Sequence, residues 1–305
     1  MIHQLNRRAF LGGIAAAGSL HGQSYLWGGP VLDMHLYIRE GRTAFEHIEG
    51  CGVTNAVLLP GQGLDERAKA EIAQHKDRFV RFVRADVTKP DAIAQMTIEL
   101  KAGAIGLGEI KYQVALDSPE MRKVYDLAAD FGVPVTQHFQ EVQHFAEEGL
   151  FSTGFSRFGA MLKTHPRTTF LGHADAFWGN VSADIPKDVA YPEGPIKPGG
   201  LTDKWLADFP NLYGDMSANS CNNTLNRDPD FMRGFLALHQ DKLMFGSDCG
   251  CLDGRGKNNQ PILAPRLKGK CMARETLTAL QRLTTPKVFR KIAWGNGTKL
   301  LKLSA

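Results

Sequence analysis

Short apolar and β-branched runs recur along the chain with helical patterns between them. Eight can be counted, near Val31–His35, Ala56–Leu59, Phe79–Ala85, Ala104–Glu109, Val133–His138, Thr169–His173, Leu212–Met216 and Leu243–Asp248. Eight alternating strand and helix units predict an α/β fold closed into a parallel (β/α)8 TIM barrel. Helix signals between the runs agree with this. Ser118 and Pro119 open a periodic stretch that stops at Gly132, in the order of an N-cap, a first-turn proline and a glycine just past the end. Thr285 and Pro286 open the last helix in the same way. The one Pro- and Gly-rich insertion of note, 178–200, follows the sixth run, and a loop of that length is usually functional. An open doubly wound sheet also alternates strands and helices. No Gly-x-Gly-x-x-Gly opens a helix after the first strand, so the barrel is preferred.

Composition refines this picture only slightly. A chain of 305 residues can bury one large core as a single barrel domain, and 43% hydrophobic with 22% charged residues argues against disorder or a fibrous repeat. The formal charge is +4. Setting Arg7 and Arg8 aside leaves 34 basic against 32 acidic residues, which gives no basis for nucleic-acid binding. The first twenty residues hold no acid and read Asn6-Arg7-Arg8-Ala9-Phe10-Leu11 before a short Gly- and Ala-rich apolar stretch through Leu20. This resembles a twin-arginine export signal. Residues 1–25 are therefore expected to be a signal peptide and leader, and 26–305 the barrel domain. The resemblance implies export of the folded protein by the twin-arginine machinery, with the periplasm as destination. No segment has eighteen uninterrupted apolar residues, so no stable membrane insertion is expected.

Five cysteines, Cys51, Cys221, Cys249, Cys251 and Cys271, are too few for a disulfide scaffold and match no zinc-finger spacing. Cys249-x-Cys251 lies near the predicted barrel rim, where metal binding or pairing with Cys221 or Cys271 after export is open; small buried side chains are the expectation. His47, His75, His144, His165 and His239 fall in helical or loop stretches and are expected to be structural or surface residues.

The chemistry collects where the runs end. The first ends in Asp33-Met34-His35-Leu36-Tyr37, the fourth in Gly108-Glu109-Ile110-Lys111, the fifth in Gln137-His138, the sixth in Gly172-His173 and the eighth in Gly246-Ser247-Asp248. In a closed parallel barrel all strand C-termini share one rim, so residues far apart in sequence converge on one point. A single histidine at a strand end is usually structural. Four such coincidences point to a site.

Through Asp33-Met34-His35, Gln137-His138, Gly172-His173 and Phe245-Gly246-Ser247-Asp248, residues 31–302 resemble the amidohydrolase-related family that includes aminocarboxymuconate semialdehyde decarboxylase and metal-dependent lactonases. The resemblance implies an amidohydrolase-type barrel with His35 and His138 as metal ligands, Asp248 as a ligand or metal-linked acid/base, and His173 as a ligand or general base. It also implies a structural part for Asn296 in the closing Trp294-Gly295-Asn296-Gly297, and a homodimer as the common assembly. One departure matters. The family usually reads Asp-x-His-x-His at the first strand, and here Tyr37 holds the second histidine position. A neutral phenol is a poor zinc ligand, so one imidazole of the expected set is missing. His35, His138 and Asp248 remain as a two-histidine, one-carboxylate set for one divalent ion, with zinc the first choice and manganese or iron compatible.

Such an ion polarises a carbonyl and acidifies water, and His173 is the expected base, as lactone or amide hydrolysis requires. Decarboxylation can use the same ion. Lys111 and Arg39 are candidate anchors for a substrate carboxylate, the alternatives being an ion pair with Glu109 for Lys111 and a solvated loop charge for Arg39, and Glu109 is counted among the substrate-binding residues. Tyr37 lies on the face of His35, and Trp178, beside Phe177, could cover the site. The leading expectation is a metal-dependent hydrolase acting on a small carboxylated cyclic substrate such as a lactone. A metal-dependent non-oxidative decarboxylase is the second. A third is a metal-free barrel that now serves as a periplasmic binding protein.

Overall fold

The computed structural model describes residues 25–61 and 63–303. Arg7 and Arg8, and with them the expected export signal, lie outside the described residues. Eight strands run in chain order: β1 Leu32–Tyr37, β2 Asn55–Leu59, β3 Phe79–Arg81, β4 Leu107–Ile110, β5 Pro134–His138, β6 Thr169–His173, β7 Leu212–Met216 and β8 Leu243–Phe245. All ladders are parallel, in the orders β1-β2-β3 and β4-β5-β6-β7-β8. Backbone hydrogen bonds bridge both seams. Val83 N donates to Gly106 O at 3.0 Å and Gly108 N to Val83 O at 2.8 Å, while Asp248 N reaches back to His35 O at 2.8 Å. The rule that sequential parallel strands are joined by crossover helices is met throughout.

Four runs are shorter as strands than their apolar pattern suggests, the third and the eighth by the most. The third leaves its ladder after Arg81, and Val83 survives as a lone parallel bridge to Leu107. The eighth ends at Phe245, because Ser247 and Asp248 give their backbone N–H groups to Asp33 Oδ1 and His35 O. Helix boundaries follow the sequence signals closely. In Pro119–Phe131 the Ser118 side chain accepts from Met121 N, and Gly132 closes the helix at φ 61°. Thr285 caps Pro286–Arg290 through Val288 N.

The larger apolar core lies between strands and helices, with Phe139, Phe155, Phe158, Phe170 and Trp205 in edge-on and tilted contact. A smaller cluster of Leu32, Met34, Val57, Leu59, Phe82, Leu171 and Met244 comes from strands on opposite sides of the barrel and fills its interior. Leu301 and Leu303 join that cluster, and Gly297 packs directly on Leu32 and Met34, so the C-terminal segment plugs the end where β1 begins. Asn296 holds this plug in place by donating to Gln240 O and Leu243 O, both at 2.7 Å, in the structural part expected of it. With one end plugged, the opposite mouth is where the strand C-termini gather. No helix among the described residues is long and apolar enough to cross a membrane.

Candidate metal centre

The strand ends deliver their side chains to one place. β5 and β6 finish level, with His138 paired in register with His173. β1 brings His35 and Tyr37, whose rings lie 5.5 Å apart, and the His35 and His173 rings are 4.4 Å apart. The turns out of these strands are sharp. Ala174, Ala218 and Asp248, each just past β6, β7 or β8, sit at φ 78°, 65° and 45°. Left-handed backbone at a residue with a side chain costs on the order of 1–3 kcal/mol, a strain that collects at functional sites.

His35 is fully buried. Its Nδ1 lies 2.6 Å from Asp215 Oδ2 on β7, and its Nε2 is buried with no hydrogen-bond partner. Gly246 makes this pair possible, because a Cβ there would collide with Asp215 Oδ1 and stand 3.0 Å from the Cβ atoms of His35 and Ser217. Burial works against a charge on His35, yet Asp215, with Glu109 and Asp248 behind it, pushes the imidazole up to about 10. Positive charge is thus favoured at this ring, while a proton on Nε2 would find no acceptor. A histidine with a carboxylate behind one nitrogen and the other nitrogen unpartnered has the form of an oriented metal ligand.

Glu109 stands at the middle of a second arrangement. Its Oε1 is 2.5 Å from His138 Nδ1 and 3.0 Å from His173 Nε2, and its Oε2 accepts from the Tyr37 hydroxyl. Burial alone would raise the Glu109 carboxyl, but the imidazoles of His138 and His173 outweigh it and hold it well below the usual carboxylate range. Burial and the neighbouring Glu109 charge push the Tyr37 phenol well above its ordinary value, so Tyr37 is a neutral donor here, as its place in the ligand pattern suggested. His173 completes its shell with Ser217 Oγ at 2.8 Å from Nδ1.

Ligand atoms therefore gather in two overlapping groups, each within 4.8 Å: His35, His173 and Asp248, and Glu109, His138 and His173. The set expected from the sequence, His35, His138 and Asp248, is divided between them, and His173 is the shared member. The donors, imidazole nitrogens and carboxylate oxygens, suit zinc, manganese or iron.

Other expectations need correction. Glu109 is not a substrate group paired with Lys111: it is 3% exposed and committed to His138, His173 and Tyr37. Lys111, one residue past the end of β4, turns instead to Glu148 at 3.4 Å and lies over the Phe151 ring. Trp178 does not cover the mouth. It is 1% exposed in the helix Ala174–Gly179 and donates its indole N–H to Asp215 O at 3.0 Å, bracing β7 from behind. Arg39 is at the rim, half exposed, 3.3 Å from Asp248. His47 and His144 do join constellations: His47 lies among Cys249, Cys251 and Cys271, and His144 Nε2 is 3.3 Å from Asp175.

Sequence reasoning passed over Asp215 altogether. Its signal was a carboxylate at the end of an otherwise uncharged, strand-like Leu-Tyr-Gly-Asp-Met, since a buried acid demands a partner. Arg84 was also missed; its guanidinium lies 5.8 Å from the Tyr37 ring centre. Beside it opens a cavity of about 460 Å³ beyond β2, β3 and β4, whose lining includes the cations Arg84, Lys89 and Lys111 and the acids Asp65 and Asp86.

No family model and no curated sequence matches the chain. Solved structures share its fold. A candidate 2-pyrone-4,6-dicarboxylic acid hydrolase from Pseudomonas putida aligns over 90% of this chain and 98% of its own, with a TM-score of 0.60 at 11% identity. An amidohydrolase from Burkholderia multivorans with bound zinc aligns over 90% and 100%, with a TM-score of 0.57 at 11% identity. The 2,6-dihydroxybenzoate decarboxylase from Rhizobium aligns over 90% and 99%, with a TM-score of 0.53 at 14% identity. At such identities the likeness is one of fold: an amidohydrolase-type TIM barrel.

Proposed function

We propose that the chain is a metal-dependent hydrolase acting on a small carboxylated cyclic substrate such as a lactone. The observation that carries this reading is the unpartnered Nε2 of His35, backed by Asp215 and set among carboxylates, at a mouth that opens beside the cations Arg84, Lys89 and Lys111. The similarity to hydrolases and decarboxylases on the same barrel supports an enzyme of this broad kind.

A divalent ion, zinc by first choice, would be held by His35, His173 and Asp248 or by Glu109, His138 and His173, and supplies electrophilic polarisation of a carbonyl and acidity to water. The chain's own residues do the rest. Arg84 and Lys111 bind a substrate carboxylate and orient the ring. Asp248, partly exposed at the rim, takes the proton of the attacking water, with Arg39 steadying its charge. His173 suits that role less than the sequence suggested, because its Nε2 faces Glu109: in the Glu109, His138 and His173 set it is a ligand atom, and with the ion held by His35, His173 and Asp248 it donates to that carboxylate. Glu109 and Tyr37 hold His138 and His173 in place.

A second reading, non-oxidative decarboxylation, is favoured by that same proton. With the ion held by His35, His173 and Asp248, the Nε2–H of His173, held against Glu109, can be delivered to a ring carbon after carbon dioxide departs, a step hydrolysis does not need. The two readings separate on products: purified protein is offered a panel of lactones and aromatic acids, and ring opening is measured against carbon dioxide release. Ring-opened acid supports the hydrolase, and carbon dioxide as sole product overturns it. A native protein without metal, with Tyr37→His gaining one, would instead indicate a binding protein. We further propose export through the leader bearing Arg7 and Arg8.

A further inference from the structure

Four side chains outside both ligand groups of the mouth meet in a buried group that the proposed reaction does not use. His47 comes from the helix Ala44–Cys51, Cys249 and Cys251 from the loop after β8, and Cys271 caps the helix Met272–Leu283. All four are buried, and their ligand atoms lie within 4.8 Å of one another. The Sγ atoms of Cys249 and Cys251 are 3.3 Å apart, those of Cys249 and Cys271 3.8 Å, and Cys251 Sγ is 3.8 Å from His47 Nδ1.

We propose that His47, Cys249, Cys251 and Cys271 form a second metal site, which takes one thiophilic divalent ion of the zinc class. Tetrahedral coordination with a metal–sulfur distance of about 2.3 Å places donor atoms about 3.8 Å apart, as Cys249 and Cys271 and Cys251 and His47 are, with Cys249 and Cys251 somewhat closer. The group is too compact for its sulfurs to surround a polynuclear cluster, and 3.3 Å far exceeds a disulfide bond of about 2.05 Å. Soft sulfur donors select zinc-like ions over magnesium or calcium.

The surroundings fit the charge of such a centre. Three thiolates around a divalent ion leave one net negative charge, and the guanidinium of Arg42 is buried beside it. Arg42 Nη1 donates to Cys249 O at 2.8 Å and Cys251 O at 2.6 Å, and lies 3.2 Å from His47 Nδ1. Nη1 has two hydrogens and both go to these carbonyls, so the cation beside Nδ1 disfavours a proton there without taking its lone pair, which stays on the side of the sulfurs. Met272 N donates to Cys249 Sγ at 3.3 Å, as backbone amides do to ligating sulfur. Four protein donors close the coordination shell, which marks a structural site. It clips together three segments distant in sequence, one of which begins with the residue after Asp248.

Among the described residues neither ligand group at the mouth contains a sulfur donor, so a spectroscopic test distinguishes the two sites. Full-length protein is loaded with cobalt(II), and its near-ultraviolet sulfur-to-cobalt charge-transfer band is recorded. The band is expected in the native protein, in His35→Ala and in Cys221→Ser, and is expected to vanish in Cys271→Ser and in Cys249→Ser, with bound zinc falling by one ion per chain. If a cysteine variant fails to fold, the native spectrum still decides. Absence of the band from native protein, its survival in Cys271→Ser, or a Cys249–Cys251 disulfide found by intact mass would each overturn the site.

Discussion

His35 and Asp215, 180 positions apart, are joined by a 2.6 Å contact between imidazole Nδ1 and carboxylate Oδ2, with both side chains buried. Through it β7 sets the direction in which β1 presents the His35 ring. Asp215→Asn keeps the shape and removes the charge. Zinc affinity, read by competition with a chelating dye, is expected to fall roughly 10- to 100-fold. Unchanged affinity would place the ion with Glu109, His138 and His173.

Glu109 accepts from three donors at once, so Glu109→Gln leaves two imidazoles and a phenol around a neutral amide. Breaking a buried charge network of this kind costs about 3–5 kcal/mol. Urea unfolding should show a loss of that size together with a collapse in kcat. A stable, active Gln variant would remove Glu109 from the centre.

Gly246 is required by closeness and not by its backbone angles. Gly246→Ala drives a methyl group into Asp215 and towards His35. The expected cost is about 1–3 kcal/mol of stability, as for other overpacked sites, with weaker metal binding. Thermal unfolding with and without zinc checks both parts.

Arg84 and Lys111 line the cavity and belong to neither ligand group. Removing either to alanine should raise KM for a carboxylated substrate about tenfold or more while changing kcat little, the pattern of lost uniform binding. Steady-state kinetics on the acid and on its methyl ester separates this from general damage: the ester should be insensitive to the substitution.

For export, Arg7→Lys combined with Arg8→Lys should retain the protein in the cytoplasm, as cell fractionation would show. Unchanged periplasmic delivery would refute the twin-arginine reading.

Much of the fold was readable because each strand is a compact apolar run bounded by turn residues, and Thr169–His173 and Leu212–Met216 match their runs residue for residue. His35, His138 and His173 were equally plain, each sitting at or near the end of such a run. Asp215 was hidden because nothing in one strand tells which histidine another strand will offer it. The place of Glu109 was misread because a carboxylate two residues before a lysine suggests a local pair, whereas the strand ends between them and Lys111 swings to Glu148. Trp178 was misplaced because its loop-like surroundings are a short helix packed against the barrel. His47 and the three sulfurs meet only through tertiary packing, which no spacing rule anticipates.

The cations of the cavity lie beyond β2, β3 and β4, while His138, His173, Asp215 and Asp248 stand on β5 to β7 and just past β8. Under the proposed reading, Arg84 and Lys111 hold the acid of a flat guest on this side, with Asp65 and Asp86 bounding the cavity, so only one of its two lengthwise poses carries the ring to the imidazoles. Regioisomers that differ only in where that acid is attached would present different atoms to the imidazoles, so turnover should follow ring substitution pattern more steeply than ring size.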